Sequence, residues 1–430
     1  MSDRVTIIGG GLAGCEAAWQ VVKRGGQAAI LEMKPVKMSP AHTMEGLAEL
    51  VCSNSLKSES LENASGVLKE EMRTLGSLVV KAAEATRVPA GSTLAVDRTA
   101  FSAFITASLI DAGVELIRGE VIKVPSTRPL VIASGPLTSD AFAASIQALI
   151  GAKSLNFYDA VAPIVYTESI DMESAFCASR YGKGEADYIN CPMTKEEYEA
   201  FYAELIKADT ARAREFEDMK SFEACMPIEV MAQRGPKTLL FGPMRPVGLT
   251  DPHTGKRPFA VIQLRRENKE GTLYNIVGFQ TRLTFGEQKR IFTMIPALRK
   301  AEFARLGKLH RNSYIDSPRL LTEAQELRAE PSVFFAGQIT GVEGYCESSV
   351  SGILAGINAL RRARGQSLVC PPEVTITGAL MRHISAAQGT FTPMNANMGL
   401  LPPETGRDRR EKQAKKAVEA IVSWTEALAN

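Results

Sequence analysis

At 430 residues the chain is long for one domain and comfortable for two, and 45% hydrophobic against 23% charged residues supplies a core of full size. A formal net charge of +2 excludes a bulk polycation, so any nucleic-acid binding must come from a local patch. Seven scattered cysteines without a CxxC pair set aside a disulfide framework and a zinc spacing, and no run of about 18 apolar residues suggests a membrane span; with a first apolar run that enters glycines rather than a secretion signal, a cytoplasmic protein with free thiols and no metal is expected.

In chain order, Val5-Thr6-Ile7-Ile8 reads as a buried parallel strand. Gly9-Gly10-Gly11-Leu12-Ala13-Gly14 follows at once, then a helix from Cys15 to Lys23, then a strand, Gln27-Ala28-Ala29-Ile30-Leu31, closed by Glu32. Strand, G-x-G-x-x-G, helix, strand and acid in that order form a dinucleotide-binding fingerprint. Gly9 makes the tight turn, Gly11 lets the backbone approach a pyrophosphate, and Gly14 lets the helix sit close to the strand. The helix N-terminus offers N–H groups to phosphate, and Glu32 can accept from ribose hydroxyls. The fingerprint alone does not separate FAD from NAD.

Residues 101–112 read as a helix, 114–117 as a strand, and 129–135 as a buried strand ending in small residues. Beyond about residue 155 the character changes. Residues 161–166 are strand-like, with Pro163 placing that run at an edge or a strand start. Thr194-Lys195-Glu196-Glu197 is a capping box opening a charged helix, and 259–264 is another strand. Residues 331–338 form an apolar strand ending at Gly337-Gln338, followed by glycine turns and a small-residue helix at 348–360. Two-part flavin folds close with such a strand, which favours FAD and makes the middle of the chain an insertion. The expected fold is therefore α/β, a Rossmann-like two-part FAD-binding fold with an inserted α/β domain. Its expected division is 1–155, first FAD part; 156–304, insertion; and 305–430, second FAD part with a helical C-terminal region.

Several stretches carry a resemblance over nearly the whole chain. They are Glu49-Leu50-Val51-Cys52-Ser53-Asn54-Ser55-Leu56-Lys57-Ser58, Leu68-Lys69-Glu70-Glu71-Met72, Cys225-Met226-Pro227-Ile228-Glu229-Val230-Met231-Ala232, His310-Arg311-Asn312-Ser313-Tyr314-Ile315, residues 335–345, and Pro393-Met394-Asn395-Ala396-Asn397 with Gly399-Leu400-Leu401-Pro402-Pro403. The chain resembles the bacterial folate- and FAD-dependent tRNA (uracil-5-)-methyltransferases, with Ala224 and Met226 as small departures beside Cys225. A sister family, the larger flavoproteins that modify the wobble uridine of tRNA, shares the Ala336-Gly337-Gln338 segment but carries a long C-terminal helical region; an end at Asn430 favours the methyltransferases.

The resemblance implies transfer of the methylene of 5,10-methylenetetrahydrofolate to carbon 5 of a T-loop uridine. FAD supplies the electrons and NAD(P)H reduces it again. Carbon 5 of uracil is a poor nucleophile, so the chemistry wants a thiolate on carbon 6 and a base for the carbon 5 proton. By the match, Cys225 is the nucleophile and Cys52 the base. Glu223 and Glu229 near Cys225 do not activate it. The FAD contacts expected are Gly9, Gly10, Gly11, Leu12, Ala13, Gly14, Glu32, Gly337 and Gln338; His310 and Arg282 are expected to hold folate. Cys15, Cys177, Cys191, Cys346 and Cys370 are expected to be structural, and His42, His253 and His383 have no evident partner. For tRNA, residues 407–416 hold six basic and two acidic residues in a helical pattern, which is also what a solvated helix face looks like. Arg265-Arg266, Arg234 and Lys237 are further candidates. Open alternatives are a wobble-uridine modifying flavoenzyme, an FAD oxidoreductase on a small metabolite, and a non-catalytic RNA-binding scaffold.

Overall fold

The computed structural model describes residues 3–151, 155–182, 185–211, 226–307, 309–388, 391–406 and 408–429, with backbone alone for 155–160, 309–311 and 429. The first part of the chain runs β1 (Arg4–Ile8), α1 (Leu12–Lys23), β2 (Gln27–Glu32), α2 (Ala64–Thr74), α3 (Leu78–Ala85), α4 (Arg98–Asp111), β3 (Glu115–Arg118), β4 (Leu130–Ile132) and α5 (Asp140–Ile150). The strand β5 (Leu155–Ala160) leads out of it.

The middle of the chain contains β6 (Ile164–Tyr166), β7 (Phe176–Cys177), β8 (Tyr188–Met193), α6 (Lys195–Leu205), α7 (Ile228–Gln233), β9 (Ala260–Arg266), β10 (Leu273–Ile276), α8 (Phe285–Phe292) and β11 (Phe303–Arg305). The return runs through β12 (Leu309–Tyr314), β13 (Val333–Phe335), α9 (Tyr345–Ala363), α10 (Ile376–Ala386) and α11 (Arg409–Ala429).

The central sheet has the order β13-β4-β1-β2-β3. Its pairs are parallel, with Ile7 opposite Ile30 on one side and Val131 on the other, and Val131 opposite Phe334. The last strand of the chain thus closes a sheet begun by the first, as a two-part fold requires. Buried β-branched and aromatic residues on both faces explain the near-continuous apolar reading of these strands. Helix α1 lies against α9 so closely that a Cβ on Gly352 would stand 2.1 Å from the Ala13 carbonyl oxygen, and one on Gly356 2.5 Å from that of Ala17. The small residues of α9 serve this contact.

Between the two parts lies a six-stranded sheet of order β7-β8-β9-β10-β6-β11, antiparallel throughout. Helices α6 and α8 pack on its apolar face, around Ile189, Cys191, Ile262 and Leu264. The expected capping box is present: Thr194 accepts from the Glu197 N–H while the Glu197 carboxylate accepts from that of Thr194. Pro163 does precede a strand, β6, but this strand is interior and not an edge. A two-stranded antiparallel ribbon of β5 and β12, pairing Asp159 with His310, joins the two sheets. A small three-stranded sheet (Ser55–Ser58, Thr93–Val96, Arg87–Val88) and helices α2 and α3 had no counterpart in the sequence reading. Among the described residues no helix is long and apolar enough to cross a membrane.

Candidate functional site

A cavity of about 1230 Å³, its open mouth included, lies at the C-terminal ends of β1, β2, β4 and β13. That is where ligands sit in open α/β sheets. Its wall contains Gly9, Gly10, Gly11, Leu12 and Ala13, with Glu32, Cys52, Gly337, Gln338 and Tyr345. Each fingerprint glycine has a measurable reason. Gly9 has φ +104°, and a Cβ there would stand 2.4 Å from the Ala133 carbonyl oxygen. A Cβ on Gly14 would stand 1.9 Å from the Gly9 carbonyl oxygen, so this glycine sets the helix on its turn rather than lining the cavity. A Cβ on Gly11 would meet nothing within 4 Å, so the backbone there faces open space. Gly11 is also the N-cap of α1 and gives no side-chain cap, which leaves N–H groups for a phosphate.

Glu32 is buried, and its two oxygens accept from the Gly10 N–H at 2.6 Å and the Lys34 N–H at 2.9 Å. The acid expected at the ribose therefore also anchors the glycine loop. Beside it, Lys34 pairs with Glu49 at 3.3 Å, both almost fully buried. His42, which had no evident partner in sequence, meets the Ser39 hydroxyl at 2.6 Å and lines the cavity. Burial, and then the Lys34 ammonium, holds its imidazole below the ordinary value.

The wall also carries Cys52, on a loop clamped from several elements. The Tyr345 hydroxyl accepts from the N–H groups of Cys52 at 2.9 Å and Ser53 at 3.0 Å. Arg98 donates to the carbonyls of Leu50 at 2.6 Å and Val51 at 3.1 Å while paired with Glu267 at 2.7 Å. Arg265 donates to the Asn54 side chain at 2.9 Å and the Ser53 hydroxyl at 2.7 Å, and Arg305 to the Val51 carbonyl at 3.3 Å. Burial, reinforced by Arg98, pushes the Arg305 guanidinium down to about 10. Burial also raises the Tyr345 phenol well above its usual value, so the hydroxyl stays protonated. Tyr345, Arg98, Arg305 and the Lys34–His42–Glu49 group were missed as site residues. Of these, Tyr345 and Glu49 left a signal, as the last and first residues of matched stretches.

The cavity suits a dinucleotide. It offers unpaired N–H groups at the phosphate end, and in its wall the buried Asn312 Oδ1 has no hydrogen-bond partner among the described residues. Gln338 stands in the wall with its amide donating to Glu343 at 2.6 Å.

The remaining candidates divide. Cys225 lies outside the described residues, and so does the His310 side chain, although Asn312 of the same strand β12 reaches the cavity. Arg282 does not line the cavity; its Nε lies 3.4 Å from Glu229, whose other oxygen accepts from the Thr281 hydroxyl. The chain enters residues 212–225 from Ala211, whose N–H donates to the Arg282 carbonyl, and beyond them Ile228 donates to the Gln280 carbonyl, both at 2.8 Å. Arg282 thus stands where both flanks of the Cys225 segment are tied. Burial raises the thiols of Cys15 and Cys191, and pushes those of Cys346 and Cys370 up to about 11, as suits structural cysteines; Cys177 is exposed. In the basic C-terminal run, Lys412 pairs with Asp408, Lys415 with Glu419 and Lys416 with Glu404, the pattern of a solvated helix face.

A family model described as glucose inhibited division protein A matches residues 4–367. Relatives named methylenetetrahydrofolate–tRNA-(uracil-5-)-methyltransferase TrmFO match end to end: the Geotalea uraniireducens protein at 57% identity over all of both chains, and the Geobacter sulfurreducens protein at 56% over 99% of each. The chain belongs to the TrmFO family. Two crystal forms of Aquifex aeolicus GidA align with TM-scores of 0.73 and 0.74 at 16% and 15% identity, covering 99% of this chain and 73% and 76% of theirs. At that identity they speak for the fold alone, and the two-part sheet of this TrmFO family member is the shared architecture.

Proposed function

We propose that this chain transfers the methylene group of 5,10-methylenetetrahydrofolate to carbon 5 of the T-loop uridine of tRNA, making ribothymidine. The observation that carries the reading is the placement of Cys52 in the wall of the same cavity as the glycine loop and Gly337. Gly9, Gly10, Gly11, Leu12, Ala13 and Glu32 at one end and Gly337 and Gln338 at the other would hold FAD, which when reduced would supply the electrons that turn methylene into methyl. The assigned roles are Cys225 as nucleophile and Cys52 as base. The Cys225 sulfur adds to carbon 6 and makes carbon 5 enolate-like; carbon 5 bonds to the folate methylene as one methylene–nitrogen bond breaks, its electron pair going to the nitrogen, which takes up a proton. Cys52 then takes the carbon 5 proton as the remaining methylene–nitrogen bond breaks; a hydride equivalent, which reduced FAD would supply, makes the methyl as the sulfur–carbon 6 bond breaks and returns the electron pair to sulfur. Tyr345 and the three arginines hold the Cys52 loop rigid, which such a proton transfer requires.

His310 and Arg282 are assigned to folate, NAD(P)H to renewal of the reduced coenzyme, and the cytoplasm as the compartment. The division proposed is 1–155 and 305–430 for the coenzyme domain and 156–304 for the insertion.

The purified protein is expected to be yellow. With labelled methylenetetrahydrofolate, NAD(P)H and undermethylated tRNA it is expected to place label in ribothymidine. Label at a wobble uridine, or none, defeats the reading. Cys225→Ala is expected to abolish the covalent complex with fluorouridine-containing tRNA; a complex that persists removes Cys225 as nucleophile.

A further inference from the structure

We propose that Tyr181 is a stacking platform for an unpaired base of the substrate tRNA, flanked by the guanidinium groups of Arg180 and Arg245. The proposal rests on the tRNA reading above and deepens it with a base-binding subsite outside the coenzyme cavity. Tyr181 adopts φ +58° and ψ +20°, a left-handed conformation that a bulky L residue rarely takes and that tends to mark function. The residue is nonetheless 60% exposed, so burial does not explain the strain.

The ring is held in place on one side. The Tyr181 N–H donates to the Gly248 carbonyl at 2.9 Å, and a Cβ on Gly248 would stand 2.9 Å from the ring. One face therefore lies on the Gly248 backbone. Arg245 donates to the Tyr181 hydroxyl at 3.4 Å. Arg180 is fixed by the Gln263 side chain and the Val247 carbonyl, both at 2.8 Å. Among the described residues, the charged and titratable groups acting on Arg180 are Arg245 and the hydroxyls of Tyr181 and Tyr188. Two cations have been gathered beside an exposed, preorganised ring.

That combination fits a nucleotide. Every base has a π face to stack, and every base is followed by a phosphate for a cation. A small coenzyme would want a concave pocket, whereas Tyr181 stands outside the cavity described above. The position also fits. Gln263, which holds Arg180, and Arg265, which holds Ser53 beside Cys52, are two residues apart on one face of β9, about 7 Å along the strand. The platform and the Cys52 loop are braced from the same face of one sheet, within reach of a single RNA loop.

The test uses the full-length, FAD-loaded protein and an undermethylated tRNA transcript. Tyr181→Gly removes the ring and relaxes the backbone, so its melting temperature is expected to match or exceed that of the wild type. Its tRNA affinity, by fluorescence anisotropy at fixed salt, is expected to fall roughly 5- to 150-fold, and that of Tyr181→Phe by less than about twofold. NAD(P)H-dependent flavin reduction without tRNA is expected to stay unchanged. Nitration of wild-type Tyr181 by tetranitromethane, mapped by mass spectrometry, is expected to be blocked by tRNA; this arm needs no variant to fold. Wild-type affinity in Tyr181→Gly, or nitration indifferent to saturating tRNA, overturns the platform alone. Failure of the wild type to bind tRNA overturns the functional reading and the platform with it.

Discussion

Cys52 owes its place to neighbours that are remote in sequence. The Tyr345 hydroxyl serves two backbone donors that flank the thiol, 293 and 292 positions away. Tyr345→Phe leaves both N–H groups without that acceptor, and about 1–3 kcal/mol of local stability goes with it. The expected result is slower turnover with coenzyme affinity largely retained, read by comparing kcat with flavin content. Cys52→Ala is expected to keep the FAD spectrum and to lose turnover by about 10²- to 10⁴-fold, the usual weight of a general base. A variant that stays yellow and turns over normally removes Cys52 from the chemistry. Cys52 itself could be singled out only through its family resemblance. Nothing in its local sequence separates it from Cys346, which lies beside the same loop but is buried, its thiol pushed up by that burial.

Two helices begin on carboxylates borrowed from other helices. Glu16 of α1 accepts from the Ser77 hydroxyl and from the N–H groups of Leu78 at 3.2 Å and Val79 at 2.9 Å, at the start of α3. Glu71 of α2 accepts from the N–H groups of Ile376 at 2.7 Å and Thr377 at 2.8 Å, at the start of α10. Burial pushes the Glu71 carboxyl up to about 7 from 4.5. The folded chain keeps this proton over a range where the unfolded chain has released it. The Glu71 contribution to stability is therefore full below about pH 4.5 and falls as pH rises to about 7. Glu71→Gln is expected to reduce that slope. Its amide group would face donors in place of one oxygen, lowering stability by about 1–3 kcal/mol at pH 5. Urea midpoints at pH 5 and pH 7.5 check both effects. Helix α3 had no counterpart in the sequence reading and α10 fell in a stretch read only as helical; a cap from 306 positions away has no local pattern, and so the origin of these contacts was illegible.

Over the whole molecule, a net charge of +2 cannot hold RNA by its overall field. The C-terminal run that looked most basic in sequence spends its lysines on Asp408, Glu419 and Glu404. Arg180 and Arg245 have no such sequence cluster around them; folding brings them together from 65 positions apart. For three to five phosphate contacts, tRNA affinity is expected to drop roughly 40- to 500-fold between 50 and 200 mM salt. A salt-independent affinity counts against phosphate contact. Arg245→Gln is expected to make the dependence shallower, and neutralising Lys412 and Lys415 to leave it nearly as it was.

The dinucleotide half was legible because its requirements are local: a strand, three glycines at fixed spacing, a helix and an acid all lie within residues 4–32, and short-range sterics dictate each. The closing strand and the inserted segment were legible as apolar runs of the right length. Family membership likewise follows from residues as written. What only the tertiary structure decided is who meets whom across the chain: Tyr345 under the Cys52 loop, Arg98, Arg265 and Arg305 around it, His42 in the cavity wall, Gly248 beneath Tyr181. Hydrogen bonds and steric contacts act over a few ångströms in space and carry no memory of sequence distance, so partners set by packing leave no spacing to read.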